Sequence, residues 1–369
     1  MIKQLVYLSP LPWASFAQRP HKFVEWFHAS TAGRVLWVDP YPTRLPTLRD
    51  LKRPSSNSGS AQSSLPPWLE VVQLRCLPIE PLPGSTLINR LRWRSLAART
   101  ARLCAANPTL LAIGKPSALA LDLLRSTHPA RSVYDSMDDF PSFYTGVSRA
   151  ALARTEEKIA REVSQILVSS SAIQARWMNI RPDAKLVYNG LDPAVLPAAR
   201  SASTAGAGGH VIGYLGTMGA WFNWRWLVAL AESRPADTVR LIGPMFVHPP
   251  GPLPPNVQVL PPLGHAAALK AMSEFDIGLI PFIRNQLTDG VDPIKYYEYR
   301  ALGLPVISTH FGEMALRGDE PGTFLSDEPK KLSKVVDAAL QYRMSSEDTD
   351  QFRTANSWTA RFASAGMLQ

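Results

Sequence analysis

The sequence has few cysteines and no long apolar run, and both absences limit the class of protein. Cys76 and Cys104 are the two cysteines among 369 residues, which indicates reduced thiols in a cytosolic protein rather than a disulfide framework. No apolar stretch reaches the roughly 18 residues of a membrane-spanning helix. The opening residues MIKQLVYLSPLPW have a short apolar run and no small-residue cleavage site, so we expect a strand there and not a signal peptide.

Motifs for several kinds of chemistry are also missing. The seven histidines form no metal-ligand motif with one another. No GxSxG elbow and no repeat of solenoid period occurs. No RNA- or DNA-binding motif accompanies the arginines. We therefore predict no metal site, no cofactor and no nucleic-acid partner.

Acidic residues are scarce in the first half of the chain. Residues 1–200 contain 25 lysines and arginines against 14 aspartates and glutamates, a net charge of +11, whereas the remainder has 14 against 16, or −2. This asymmetry predicts that the first half meets something anionic. The segment NRLRWRSLAARTAR, residues 89–102, is consistent with a helix lying on an anionic membrane surface. A solvated helix face explains it equally well.

Short β-rich runs alternate with helical patterns along the whole chain. This alternation predicts an α/β protein with doubly wound, Rossmann-like parallel sheets. The linker-like stretch ARSASTAGAGG, residues 199–209, predicts a boundary near residue 200 and a cleft between two domains. The predicted strands are QLVYL, RVLWVD, EVVQLRCL, TLLAIG, SVYDS and QILVSS in the first half, and HVIGYLG, TVRLIG, VQVLPP, IGLIPF and PVIST in the second.

A glycine-rich turn follows a predicted strand in GYLGTMGAWFNW, residues 213–224. Gly216 and Gly219 precede a helical pattern, and glycines there let backbone amides approach a phosphate. A tight strand-to-helix turn without any ligand would need the same glycines.

A cation and a carboxylate share one helix face in DGVDPIKYYEYRALGLPVIST, residues 289–309. Lys295 and Glu298 are three residues apart, just after an apolar strand, at the ligand-binding end of the sheet. A lysine there can meet a diphosphate, and a carboxylate can accept both hydroxyls of a ribose. The alternative is an exposed ion pair within the helix.

Three carboxylates end a predicted strand in VYDSMDDF, residues 133–140. Asp135 is next to the strand, where packing or turn hydrogen bonds can use it. Asp138 and Asp139 lie further into the loop, within reach of a sugar, and we favour Asp138 as a catalytic base with Asp139 as second candidate. Capping of the next turn is the alternative.

These motifs together resemble those of the GT-B glycosyltransferases of the family-4 type, in the branch of bacterial polysaccharide enzymes. The resemblance covers nearly the whole length and more distantly includes the xanthan glucuronosyltransferase. It rests on QRPH (18–21), YDSMDDF, ILVSSSAIQARW, VYNGLDP, GYLGTMGAWFNW, LIGP and FDIGLIPFIRNQLTDGVDPIKYYEYRALGLPVIS.

The resemblance implies a GT-B fold with four segments. These are an N-terminal acceptor-binding domain (1–198), a linker (199–209), a nucleotide-sugar-binding domain (210–347) and a final helix crossing back to the first domain (348–369). It further implies that Glu298 binds the ribose and that Gly216 and Thr217 face the diphosphate.

The chain departs from the family pattern at two points. The family has two glutamates separated by seven residues, and Gly290 stands where the first would be. Asp289 or Asp292 is a possible substitute in donor binding. The arginine and lysine that often follow the first strand of the second domain are also missing. Lys295 is then the best-placed cation for the leaving diphosphate, with Arg225 in reserve.

The function implied is metal-independent transfer of a hexose from a nucleoside-diphosphate sugar, most simply a UDP-sugar. The charge asymmetry favours a lipid-diphosphate-linked acceptor, a growing cell-surface or exopolysaccharide glycan, whose phosphates Arg19 and His21 would receive. The protein would then be cytoplasmic and peripheral at the inner membrane face. A GT-B nucleotide-sugar epimerase and a non-catalytic basic adaptor for polyanions are the alternatives.

Overall fold

The chain forms two compact α/β units. The computed structural model describes residues 2–45, 65–82, 84–198 and 209–368. Unit 1 is Met1–Val187 with Phe362–Gln369, and unit 2 is Tyr188–Arg361.

Unit 1 is built on seven parallel strands. These are β1 (Gln4–Leu8), β2 (Arg34–Val38), β3 (Leu69–Val72), β4 (Thr109–Ile113), β5 (Arg131–Ser136), β6 (Gln165–Val168) and β7 (Lys185–Leu186). Its helices are α1 (Arg19–Thr31), α2 (Ser85–Ala106), α3 (Ala118–Ser126), α4 (Gly146–Glu162) and α5 (Ser171–Trp177). A short 3₁₀ helix, Phe140–Phe143, follows β5.

Unit 2 is built on six parallel strands. These are β8 (Val211–Leu215), β9 (Thr238–Ile242), β10 (Val257–Leu260), β11 (Ile277–Ile280), β12 (Val306–Ser308) and β13 (Thr323–Leu325). Its helices are α6 (Trp224–Ser233), α7 (His265–Met272), α8 (Gln286–Asp289), α9 (Ile294–Ala301), α10 (Leu332–Gln341) and α11 (Ser346–Ala355), with 3₁₀ turns at Gly312–Leu316 and Pro329–Lys331. The last helix, α12 (Trp358–Ala363), crosses the division between the units.

Both sheets are doubly wound. The strand order is β3-β2-β1-β4-β5-β6-β7 in unit 1 and β10-β9-β8-β11-β12-β13 in unit 2. Helices cover both faces of such a sheet, so its central strands are continuous apolar runs; β4 and β11 are buried at every position. The strand order reverses between β1 and β4 and between β8 and β11, and ligands of such sheets bind outside the carboxyl ends of the strands at this switch point.

The predicted fold class is confirmed, and each of the eleven predicted runs contains a strand. Two edge strands were not predicted. Strand β7 has two residues and β13 has three, too short for an alternating or continuous apolar pattern to be recognised. Strand β3 ends at Val72, so most of the run EVVQLRCL continues as a loop.

The change from unit 1 to unit 2 comes at Val187–Tyr188, eleven residues before the predicted linker begins at residue 199. Residues 188–198 belong to unit 2, because Leu191 pairs with Ser357 and Pro197 accepts a hydrogen bond from Arg353. Residues 199–208 of the predicted linker lie outside the described part of the chain. Among the described helices, none combines the length and apolarity needed to cross a membrane.

Candidate functional site

Two paired glycines leave room for aromatic rings on the sheet of unit 2, and one of them, Gly278, brings α9 close to it. Gly213 of β8 and Gly278 of β11 are paired across the switch point. A Cβ on Gly213 would lie 2.2 Å from the Phe275 ring, and one on Gly278 would lie 2.4 Å from the Tyr299 ring. The Tyr299 hydroxyl accepts a hydrogen bond from the Leu215 amide at 3.1 Å. Helix α9 is therefore fixed at the carboxyl end of β8.

Lys295, in the first turn of α9, packs directly onto Gly216. A Cβ at Gly216 would lie 2.4 Å from Lys295 Cε and 2.8 Å from Nζ, and Gly216 has a φ of +145°. The ammonium also lies 5.4 Å from the ring centre of Tyr214 and 5.7 Å from that of Phe282. Only glycine provides both the space and the backbone angle for this arrangement.

The Lys295 ammonium has neither a hydrogen bond nor an ion pair with any described residue. Burial lowers the pKa of Lys295, while the Glu298 carboxylate, one helical turn away, opposes this shift. A half-buried cation without a partner favours an anionic ligand, because the ligand replaces the lost hydration.

The loop after β8 uses some of its amides within the protein. The Gly216 amide donates to Ile242 O at 2.8 Å and the Met218 amide to Pro244 O at 2.9 Å. Within the described ranges, neither the amide nor the hydroxyl of Thr217 has a partner. Thr217, next in sequence to Gly216, is thus a loop residue with donors that remain available to a ligand. Arg225 is exposed on the first turn of α6.

Asp292 is part of a buried network. Its side chain is fully buried and accepts hydrogen bonds from the Asn189 amide at 2.6 Å, from Arg317 Nη2 at 2.8 Å and from the Tyr297 hydroxyl at 3.0 Å. Burial alone would lower the pKa of Arg317, but Asp292 raises it above its usual range. Since both carboxylate oxygens are engaged, the geometry favours a structural role for Asp292 over the predicted donor contact.

Arg19 is likewise engaged inside unit 1. Its guanidinium contacts both carboxylate oxygens of Asp135, the closest at 2.8 Å, and donates to Val187 O at 2.7 Å. Both side chains are almost fully buried. This pair fixes the start of α1 to the end of β5, and Asp135 has the packing role expected from its position. The predicted contact of Arg19 with acceptor phosphates would require this pair to open.

Both ring nitrogens of His21 contact backbone groups. The Gln18 amide donates to Nδ1 at 3.3 Å, and Nε2 lies 3.0 Å from Trp13 O. This pattern fits a neutral ring protonated at Nε2, and burial lowers the pKa of His21. The imidazole also packs against the rings of Trp13 and Trp37. The geometry therefore favours a capping role over the predicted phosphate contact.

Asp138 differs from its two neighbours. Its half-buried carboxylate makes no hydrogen bond or ion pair with the described residues. Burial raises the pKa of Asp138 to about 7; Arg19 opposes the shift, and Asp135 and Asp139 add to it. A carboxylate with this pKa at the carboxyl end of β5 can exchange a proton near neutral pH.

Asp139 belongs to an ion-pair network that the sequence did not reveal. Arg176 of α5 donates to Asp139 at 2.7 Å and to Glu156 at 2.9 Å, and Glu156 accepts from the Tyr134 hydroxyl at 2.5 Å. The buried Glu156 has a raised pKa because of its burial. The network holds the loop that carries Asp138, which makes Asp139 a positioning residue in this geometry.

The structure thus separates the predicted site residues into two groups. Lys295, Glu298, Gly216 and Thr217 come together at the switch point of unit 2, and Asp138 stands at the carboxyl edge of unit 1. Asp292, Arg19, His21 and Asp139 are held by other side chains or backbone groups. No three His, Cys, Asp or Glu side chains of the described ranges cluster as metal ligands do.

Comparison with known proteins finds similarity in structure alone. No family model matches the chain, and no curated protein matches it significantly. Among solved structures, sucrose-phosphate synthase from Thermosynechococcus elongatus is 13% identical, with 99% of this chain and 98% of that chain covered and a TM-score of 0.65.

Two further structures show the same likeness. The UDP-forming α,α-trehalose-phosphate synthase from Burkholderia xenovorans is 12% identical, covers 99% of this chain and 98% of its own, and has a TM-score of 0.61. A trehalose-6-phosphate structure from E. coli with bound UDP-2-fluoro glucose is 12% identical, with 99% of each chain covered and a TM-score of 0.60. With two doubly wound parallel sheets and these neighbours over its whole length, the chain has the GT-B fold.

Proposed function

We propose that the protein is a glycosyltransferase that uses a nucleoside-diphosphate sugar. The observation that carries this proposal is the Lys295 ammonium on Gly216, at the switch point of unit 2, with Glu298 one turn away. This ammonium makes no hydrogen bond or ion pair with the described residues. A cation at this edge suits a diphosphate, and a carboxylate beside it suits the two hydroxyls of a ribose. The bound UDP-sugar analogue in a structural neighbour supports a UDP-sugar as the donor.

Each residue of the proposed donor site has a separate task. Lys295 neutralises the charge that develops on the departing diphosphate, an effect that can reach about 10²–10³ in rate. The amide and hydroxyl of Thr217 donate to phosphate oxygens. Glu298 orients the ribose, and Gly216 leaves room for both the lysine and the ligand. The reaction requires no metal if Lys295 and the start of α9 supply the positive charge.

Asp138 is the proposed base for the acceptor hydroxyl. In its ionised form it can take the proton as the hydroxyl oxygen forms a bond to the anomeric carbon of the donor and the nucleoside diphosphate leaves. The absence of a partner for Asp138 among the described residues supports this role over capping. Direct displacement with such a base inverts the anomeric configuration.

The proposed product is a hexose added to a growing cell-surface or exopolysaccharide glycan, carried on a lipid diphosphate. The excess of positive charge in residues 1–200 supports an acceptor with phosphates. Such an acceptor places the protein at the cytoplasmic face of a membrane.

The test is a thermal-shift screen of UDP, GDP, ADP and their hexose conjugates, followed by transfer of radiolabelled sugar into bacterial lipid extract. We expect one nucleotide to raise the melting temperature of the wild type, and sugar transfer to be about 10²–10³ slower in Lys295→Ala. The exposed lysine variant Lys330→Ala is the matched control. Absence of any nucleotide response would point to the polyanion adaptor. Conversion of the donor without transfer would point to the epimerase.

A further inference from the structure

The first turns of α2 expose an apolar surface. Leu87, Ile88 and Leu91 are 69%, 51% and 74% exposed. The helix is nevertheless fixed, since Asn89 exchanges two hydrogen bonds with the backbone of Leu77 and the Trp93 indole donates to Asp122 at 2.8 Å. The exposed side chains therefore belong to a rigid element and do not fold back onto unit 1.

Arginines continue the same helix face toward its C-terminus. A groove of about 540 Å³ runs between α2 and the edge strand β3, and its lining includes Arg75, Arg92, Arg99 and Arg102. Arg99 pairs with Glu70. Within the described ranges the other three make no ion pair, so the groove carries three uncompensated positive charges.

Helical spacing places the apolar surface and the groove arginines on the same side of α2. Ile88, Arg92, Arg99 and Arg102 follow one another at intervals of four, seven and three residues, which places them on one face. The opposite face is buried, with Trp93, Leu96 and Thr100 inward. The outer face of α2 is thus apolar in its first turns and cationic in its later ones.

We propose that this outer face of α2 docks on an anionic lipid bilayer. The arginines alone would suit any polyanion, but the three exposed aliphatic side chains in the turns of α2 before Arg92 favour a partner that also offers an apolar phase. A bilayer provides both, since aliphatic side chains enter the boundary of the acyl region while arginines contact anionic headgroups.

The outer face of α2 also bears on how the acceptor reaches the protein, an argument that rests on the proposed function. Glu80, from the loop before α2, accepts hydrogen bonds from the Ala118 amide at the start of α3. The apolar end of α2 therefore lies at the carboxyl edge of the unit 1 sheet, the edge that also carries Asp138. Docking there presents this edge to an acceptor anchored in the same bilayer.

Vesicle sedimentation tests the docking without any sugar transfer. The full-length chain is mixed with vesicles of phosphatidylcholine alone or with 30% phosphatidylglycerol. We expect binding only to the anionic vesicles. The triple variant Leu87→Ser, Ile88→Ser, Leu91→Ser should weaken binding at least tenfold, and the double variant Arg75→Ala, Arg102→Ala about 30-fold.

Matched controls come from unit 2. Lys330→Ala with Lys334→Ala removes two exposed charges, and Leu316→Ser removes an exposed leucine; both should bind within twofold of the wild type. The proposal is overturned if the wild-type protein does not sediment with the anionic vesicles. It is also overturned if the serine variant binds as the wild type does, or if a single-stranded RNA competes the protein off the vesicles at equal charge concentration. The nucleotide-induced thermal shift is measured on the same variants. If they keep the shift but lose vesicle binding, docking has failed while the donor site is intact.

Discussion

At the scale of single residues, Asp138 has a property that sequence alone could not supply: its carboxylate makes no hydrogen bond or ion pair with the described residues. As a general base it contributes about 10²–10⁴ in rate, so Asp138→Asn should abolish transfer and leave nucleotide affinity unchanged. The wild-type kcat/KM should rise tenfold per pH unit below about 7 and level off above it. Steady-state kinetics and calorimetry check both expectations. Asp139→Asn, which removes the Arg176 ion pair, should lose less than tenfold in rate.

Asp138 should also make the stability of the folded protein depend on pH. Folding raises the pKa of Asp138 from the ordinary value of about 3.9 to about 7, so its contribution is favourable below pH 3.9 and is lost as the pH rises through 7. Asp138→Asn should therefore have a higher melting temperature than the wild type at pH 8, with no such advantage near pH 4. A lower melting temperature at pH 8 would assign Asp138 to capping.

Lys295 and Glu298 should respond differently to truncation. Glu298→Ala loses a charge-assisted hydrogen bond to the ribose, so nucleotide affinity should fall by about 1.5–3 kcal/mol. Lys295→Ala should lower turnover by about 10²–10³, because its charge matters most as the diphosphate leaves. Titration calorimetry and single-turnover kinetics separate the two effects. Unchanged nucleotide affinity in Glu298→Ala would remove that residue from the site.

At the scale of elements, the position of α9 depends on Gly278, which lies against its Tyr299 ring. Gly278→Ala places a methyl 2.4 Å from the Tyr299 ring, and such overpacking costs about 1–3 kcal/mol. Because α9 carries both Lys295 and Glu298, nucleotide affinity should fall although Gly278 touches no ligand in the proposed site. Gly251→Ala is the control, since a Cβ there meets open space. Equal nucleotide affinity in both variants would show that α9 does not depend on this contact.

The sequence predicted the elements better than the side-chain partners. Apolar runs and strand-to-helix turns are local patterns, so the strands and the placement of Lys295 and Glu298 on one short helix could be foreseen. The partners of Asp292 lie 25 and 103 residues away, in Arg317 and Asn189. The partner of Arg19 is 116 residues away. No local pattern distinguishes a polar residue with such a distant partner from one that waits for a ligand.

At the scale of the whole molecule, positive charge and not a metal is expected to support the reaction. Lys295 and the start of α9 form the proposed diphosphate site, so full activity should persist in excess chelator. The measurement is radiolabel transfer with and without EDTA. Loss of transfer in EDTA, restored by manganese, would instead implicate Asp289 or a similar carboxylate near α9.

The end of the chain returns to unit 1 and is fastened there. Arg131 donates to the carbonyls of Gly366 and Met367, each at 3.0 Å. Phe362 is fully buried, and its ring centre lies 5.1 Å from that of Phe23 and 5.6 Å from that of Trp26. Phe362 therefore adds to the packing of α1, while the Gly366 and Met367 carbonyls tie the chain to β5.

Removing this ring should destabilise unit 1. Phe362→Ala leaves a cavity against α1, and such changes cost about 3–5 kcal/mol. The Arg19 guanidinium also lies over the Phe362 ring, 5.5 Å from its centre. The variant would therefore expose part of the buried Arg19–Asp135 ion pair to water. Hydrogen exchange of the α1 amides is the suitable measurement, because a chain of two units need not unfold in one step. The control is Phe246→Ala, because the Phe246 ring is 75% exposed. It should change the free energy of opening of the α1 amides by less than about 0.5 kcal/mol. If α1 exchanges equally slowly in both variants, the chain end is dispensable for unit 1, and its return must be explained by something other than packing.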